Sequence, residues 1–161
     1  MVEVDFSGAI NKMMAFCAYQ ERCRQEVFQK LEKFDLPDEQ KISIIEELEK
    51  EKFINEARFA KSYAEGKFRI KKWGRIRIRM ELKRRNIPED LIKESISGID
   101  GDKYFEVLKE LVEKKMPSVL KDNLEIQKQK VLRFAYSRGF EPDLTSDAFE
   151  EVKKNLSKEK F

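Results

Sequence analysis

The chain has no histidine, two cysteines, one tryptophan, and only six glycines and four prolines in 161 residues. Each shortage excludes something. Without histidine, and with Cys17 and Cys23 standing alone, neither a zinc site nor a Cys/His nucleophile can be assembled from the usual ligands and bases. No glycine-rich phosphate loop and no serine elbow is present either. The carboxylate-rich stretch of Glu46, Glu47, Glu49 and Glu51 reads as a solvated helix surface with no candidate catalytic partner. The expectation is a protein that is not an enzyme and needs no cofactor or metal. Glycine and proline together fall to about half their usual share of roughly 12%, which leaves little turn material and favours long helices over many short strands. No stretch approaches the roughly 18 apolar residues of a membrane span. Glu3 and Asp5 stand where a signal peptide would be basic. A soluble, monomeric, cytoplasmic protein with reduced cysteines is therefore expected.

What is abundant is charge, at 40% of the residues, and apolar side chains, also at 40%, including twelve Phe. The net charge of +3 conceals a strong polarity. Residues 67–85 hold ten bases, Lys67, Arg69, Lys71, Lys72, Arg75, Arg77, Arg79, Lys83, Arg84 and Arg85, against the single acid Glu81, a local charge of +9. The preceding 66 residues carry 10 bases and 14 acids, and the following 76 carry 14 and 16. Solvated helix faces usually mix signs. Ten bases against one acid cannot neutralise one another, and they point to an anionic partner. The ten bases are the candidate partner- or DNA-binding residues. Trp73, inside the run, could stack on a nucleic-acid base, but its neighbours Phe59, Tyr63 and Phe68 fit a core stripe, and packing between helices is the plainer reading.

Apolar spacing of three and four predicts helices along the whole chain. The first spans Ser7 to about Gln20, with Ser7 or Asp5 as its N-cap. Val27, Leu31 and Phe34 mark the second. Pro37 opens the third, lined by Ile42, Ile45 and Leu48, and Asn55 caps a fourth that runs to about Phe68. From Arg75 to Leu82 apolar and charged residues alternate as in a half-buried strand. We read this segment as helix, because no other segment offers a strand partner and Met80–Arg85 is made of strong helix formers. Ile78 and Leu82 should then face inward, and Arg77 and Arg84 outward. Met116-Pro117 breaks the helices of the last third, and Ser157–Phe161 should fray.

One device recurs three times: an apolar residue, a proline, then acids opening a helix. It occurs at Leu36-Pro37-Asp38, at Ile87-Pro88-Glu89, and at Phe140-Glu141-Pro142-Asp143, where Gly139 stands at the preceding helix end. The period is near fifty residues, with three helices per unit. The expected architecture is all-α: three tandem three-helix, helix-turn-helix-like repeats at 7–50, 55–99 and 102–156, forming an elongated, curved array.

Phe53-Ile-Asn-Glu-Ala-Arg-Phe-Ala60 with Tyr63, then Gly74-Arg-Ile, Glu81-Leu-Lys and Arg85-Asn-Ile87, resembles the RecX family, regulators of the RecA recombinase. Ala18-Tyr19, Arg22, Glu26-Val27 and Lys30-Leu31 look like that family's first repeat, and Lys130-Val-Leu-Arg-Phe-Ala-Tyr-Ser-Arg-Gly-Phe140 like its third. Cys23 departs from the family's usual serine, which puts the cap of the second helix in doubt. Asn86 departs from a usual glycine, though Asn tolerates the left-handed backbone. The resemblance implies a protein without catalytic residues that lodges in the groove of the RecA–DNA filament. There it would block filament growth and suppress ATP hydrolysis, strand exchange and repressor cleavage, roles in recombination, DNA repair and the SOS response. The alternative is a non-enzymatic helical module that binds single- or double-stranded DNA through its basic face.

Overall fold

The computed structural model describes residues 3–159. Among them there are nine α-helices and no strand: α1 Phe6–Tyr19, α2 Arg24–Leu31, α3 Asp38–Lys50, α4 Glu56–Lys71, α5 Arg75–Arg84, α6 Glu89–Ser97, α7 Gly101–Lys115, α8 Leu124–Ser137 and α9 Pro142–Glu159, with a 3₁₀ turn at Met116–Ser118. None of these helices is long and apolar enough to cross a membrane. The alternating segment is helical: α5 buries Ile78 and Leu82 completely and leaves Met80 45% exposed. α9 continues to Glu159, so the expected fraying at Ser157 does not occur within the described residues, and the Ser157 hydroxyl donates to the Lys153 carbonyl at 3.1 Å. Lys160 and Phe161 lie outside them.

Starts and stops follow local chemistry. Asp5 accepts the Gly8 N–H at 2.7 Å, Asn55 the Arg58 N–H at 2.9 Å, Asp100 the Lys103 N–H at 3.0 Å and Asn123 the Ile126 N–H at 3.0 Å. Each is a cap of the kind that contributes about 1 kcal/mol. Cys23 caps α2 poorly through its sulfur, a weak acceptor facing the Glu26 N–H, while the Glu26 carboxylate accepts the Cys23 N–H at 3.3 Å and supplies the stronger half of the cap. Lys52, Lys72, Asn86 and Gly139 take positive φ within two residues of the ends of α3, α4, α5 and α8. Three of these ends share one hydrogen-bond pattern, Phe53 N–H to Leu48 O, Ile87 N–H to Leu82 O and Phe140 N–H to Ala135 O, and each is followed by apolar side chains that turn inward. Asn86 therefore carries the left-handed turn at φ 58° in place of glycine.

The chain divides into two compact units. The first comprises the described residues up to Tyr63 together with Glu81–Ser95; the second comprises Ala64–Met80 with the chain from Ile96 onward. The divisions fall inside α4, α5 and α6. In the first unit α1, α2 and α3 pack on one another around Met13, Val27, Leu31, Ile44, Leu48 and Ile54. At roughly 1.5–3 kcal/mol for each large side chain removed from water, this cluster is the unit's main source of stability. The α3 stripe differs from the expected one. Ile42 is 45% exposed, and the buried positions are Lys41, Ile44, Ile45 and Leu48, a true i, i+3, i+4, i+7 face. Lys41 sits on it by burying its stem while its ammonium reaches Asp38 at 3.3 Å and lies 5.6 Å from the Phe28 ring centroid.

In the second unit α7, α8 and α9 pack on one another over Tyr104, Leu108, Val131, Ala135, Phe149 and Val152. The Trp73–Gly74 turn docks against the end of α8. Gly74 N–H donates to Arg138 O at 2.8 Å and Ile76 N–H to Gly139 O at 2.9 Å. A Cβ on Gly74 would collide with the Gly139 carbonyl and the Phe140 nitrogen, so no other residue fits there without moving backbone.

Candidate functional site

The ten bases fall into different circumstances, seven in the second unit and three in the first. In the second unit, Arg75 is consumed by the fold. Its N–H donates to the Tyr104 hydroxyl at 3.0 Å, its guanidinium lies 3.9 Å from the Tyr104 ring centroid and pairs with Glu141 at 2.9 Å, and the Tyr104 hydroxyl donates to the other oxygen of the same Glu141 carboxylate. Tyr104 is 1% exposed. Its burial, reinforced by the hydrogen bond to Glu141, pushes its pKa well above the ordinary tyrosine value. This closed knot fixes the start of α5.

Around Trp73 the side chains are organised differently. The Lys67 ammonium lies 5.0 Å and the Arg77 guanidinium 4.3 Å from the indole centroid, so the ring holds two cations. Trp73 is half-buried, as its plainer reading required. Arg77 is half-buried too, which corrects the expectation that it points outward: the indole four residues before it draws the guanidinium down. Arg79 is half-buried, and Arg69 and Lys71 are exposed. Arg69 and half-buried Lys72 line an open groove of about 590 Å³ over Phe68, Ile99 and Val107, and the acids Glu65, Asp100, Asp102 and Glu106 line it with them, beyond ion-pair distance. Among the described residues no carboxylate lies within ion-pair distance of Arg69, Lys71, Lys72 or Arg77.

In the first unit every base of the run has an acid. Lys83 stands 3.9 Å from Glu89, and Arg84 pairs with Glu81 at 3.0 Å. Arg85 bonds Glu81 through both its backbone carbonyl and its carboxylate, approaches Glu26 at 3.8 Å and lies 4.8 Å from the Tyr63 ring centroid. Beside it, Asn86 donates to Gln25 at 2.6 Å, so this end of α5 is tied to α2. Lys83 and Arg84 are exposed pairs of little strength. Arg85, with 26% of its side chain exposed, is structural.

One base outside the run is brought to it. Arg138, exposed at the end of α8, offers its carbonyl to Gly74 and holds its guanidinium 5.1 Å from the Phe134 ring centroid, again without a carboxylate among the described residues. It lies 53 residues beyond Arg85, so a charge window along the sequence misses it. The signal that could have found it is the pair of glycines in Trp73-Gly74 and Arg138-Gly139, which allow the two turns to touch. The cysteines belong to the first unit and take no part in this surface. Both are buried, and burial pushes each thiol pKa from 9.0 to about 11. Among the described residues no three Cys, Asp or Glu side chains gather as metal ligands.

Comparison with known proteins completes the description. Residues 55–96 match the model of the second RecX three-helix domain and residues 102–149 that of the third. The chain is 26% identical over 155 residues to the "Regulatory protein RecX" of Prosthecochloris aestuarii, covering 96% of this chain and all of that one. It is 34% identical over 117 residues to that of Clostridium tetani, covering 71% of this chain and 50% of the relative, so it spans the whole of one curated relative and half the length of another. Its fold superposes on a crystal structure of RecX from Lactobacillus salivarius with a TM-score of 0.82 at 22% identity, over 92% of this chain and 96% of that one. A second crystal structure, of "regulatory protein RecX", gives a TM-score of 0.80 at 23% identity, over 92% and 71%. With an all-α repeat fold and two domain models that together span more than half of its length, the chain belongs to the RecX family of regulatory proteins.

Proposed function

We propose that this protein is a negative regulator of the RecA recombinase: it binds the recombinase–DNA filament in its groove and lowers ATP hydrolysis, strand exchange and co-protease activity. In this reading the chain is organised as three three-helix repeats, with no catalytic residue of its own. The observation that carries it beyond family membership is that Arg69, Lys71, Lys72 and Arg77 in the second unit have no carboxylate within ion-pair distance among the described residues. Folding already supplies acids for Arg75, Lys83, Arg84 and Arg85, so these contribute less to an external partner. A surface with several unpaired cations raises the encounter rate with an anionic filament and loses that advantage as salt rises.

The test is inhibition of DNA-dependent ATP hydrolysis by the recombinase. Reversing Arg69, Lys71 and Lys72 together to Glu is expected to raise the concentration needed for half-inhibition at least tenfold, with helix content unchanged. Reversing Lys83 and Arg84 is expected to do much less, and Glu46→Lys, on exposed α3, less still. Wild-type potency in the triple variant would remove this surface from the mechanism. The alternative, a nucleic-acid-binding module with no action on the recombinase, is favoured instead if the wild-type chain binds DNA yet leaves ATP hydrolysis untouched.

A further inference from the structure

Three helix ends meet in the second unit, and each carries bases with no carboxylate in ion-pair distance among the described residues. The α4 end supplies Lys71 and Lys72, the start of α5 supplies Arg77, and the α8 end supplies Arg138. They are held together by backbone rather than by side chains. The hydrogen bonds from Gly74 and Ile76 to Arg138 O and Gly139 O fix the two turns, and a Cβ on Gly139, whose φ is 95°, would strike the backbone nitrogen and Cβ of Arg77. Close approach at this point is therefore built in.

Helix C-termini attract bases for a reason internal to the fold, so that explanation must be weighed first. The macrodipole places roughly half a negative charge at each C-terminus. The ends of α4 and α8 then offset about one of the four positive charges, the start of α5 adds back about half of one, and the acids lining the groove beside Lys72 offset part of its charge, while among the described residues no carboxylate lies within ion-pair distance of any of the four. About three positive charges are left for a partner.

The aromatic rings narrow what that partner presents. Lys67 and Arg77 lie over the Trp73 indole, and Arg138 and Lys115 lie over Phe134, at 5.1 and 5.2 Å from its centroid. Rings already covered by cations are poor platforms for a stacking base. They are good supports for guanidinium groups, which are held in place with their N–H forks available. Arginine forks match phosphate oxygens in bidentate geometry.

We infer that Lys71, Lys72, Arg77 and Arg138 form one site for the phosphates of a nucleic-acid strand, read without base preference, with Arg138 a contact residue that lies outside the basic run. This rests on the reading that the second unit faces an anionic partner, and commits it to nucleic-acid phosphate rather than protein carboxylates.

The experiment is fluorescence anisotropy of labelled single-stranded oligonucleotides with the full chain, without recombinase, across a salt series. Oligo-dT and a mixed sequence should bind with affinities within a few-fold of each other. Arg138→Gln should weaken binding about fivefold and flatten the log–log salt slope by about 0.7, the value for one phosphate contact on a single strand. Arg77→Gln should do the same, and Arg138→Lys should recover the slope. An unchanged slope and affinity in Arg138→Gln overturns the inference, as does a wild-type chain that does not bind DNA or that prefers one oligonucleotide more than tenfold. Inhibition of recombinase ATP hydrolysis, measured in parallel, separates the two readings. Its loss in Arg138→Gln with an unchanged DNA slope sinks the phosphate site and leaves the regulator standing. A flattened slope in a chain that never inhibits supports the site and sinks the regulator.

Discussion

Arg85 and Arg77 stand two turns apart on or beside α5, and both lay a guanidinium on an aromatic ring, 4.8 Å from Tyr63 and 4.3 Å from Trp73. Around Arg85, in the first unit, Glu81 accepts from the guanidinium and Glu26 stands 3.8 Å away, although the buried Nε has no hydrogen-bond partner. Around Arg77, in the second, no described carboxylate lies within ion-pair distance, and the Trp73 ring is shared with Lys67. Two arginines of one helix region are thus put to opposite uses. An aromatic ring contributes about 0.5–2 kcal/mol by cation–π attraction, enough to position a guanidinium but not to neutralise it. What decides between a structural and an available arginine is the carboxylate: Glu81, one turn back on α5, and Glu26 from α2 serve Arg85.

The comparison can be broken at its foundation by Gly74→Ala. The new methyl must displace the Gly139–Phe140 backbone, and a loss of about 3 kcal/mol is expected, read as a lowered midpoint in urea. If instead Gly74→Ala is neutral, the turns do not need their close approach, and the cation cluster is not held by it.

Next in size is the contrast itself. Arg85→Ala should cost about 1–2 kcal/mol, because it leaves Glu26 and Glu81 without their cation and uncovers the Tyr63 ring. Arg77→Ala should cost less, about 0.5–1 kcal/mol for the lost contact with the Trp73 ring, while weakening binding to filament or DNA. Equal stability losses would erase the distinction.

A smaller effect sharpens it. Lys52 and Lys72 both hold left-handed backbone, at φ 64° and 58°, where a side chain costs roughly 1 kcal/mol relative to glycine. Lys52→Gly and Lys72→Gly should each raise the unfolding midpoint by a similar amount. Only Lys72→Gly should weaken partner binding, since Lys72 belongs to the cluster and Lys52 is a residue of the first unit.

The smallest is a pH effect. Cys17 and Cys23, both in the first unit, are raised by burial from 9.0 to about 11. A raised pKa means that the folded state favours the proton-bound form. The two thiols therefore contribute full stability below pH 9, which is lost as pH climbs from 9 through 11. Between pH 8 and 9 the change should stay below about 1 kcal/mol, measured as a falling urea midpoint, and alkylation of both thiols should be slow until the chain unfolds. A Cys17→Ala/Cys23→Ala chain with the same alkaline decline would assign it to Tyr104 or the lysines instead.

Much of the fold could be read locally. Helix ends announced themselves through Asp5, Pro37, Asn55, Asn86 and Gly139, because capping and left-handed turns depend on a handful of adjacent atoms. α5 was legible despite its alternating pattern, since an isolated strand has nothing to pair with. The α3 stripe was misread because Lys41 occupies a core position with an aliphatic stem, which a polar letter hides. The basic run was plain, but its sorting was not. Which bases meet Glu26, Glu89 or Glu141 depends on contacts between segments up to 66 residues apart, as from Arg75 to Glu141. Arg138 was invisible for the same reason.

Trp73 is the chain's single tryptophan. Its indole is clasped by the ammonium of Lys67 and the guanidinium of Arg77, so under selective excitation the emission of the whole protein comes from this one corner of the second unit. A partner that draws either cation off the ring changes the polarity and quenching the indole experiences. The protein carries its own optical reporter beside Arg77, and a partner that binds there can be followed in real time without a label.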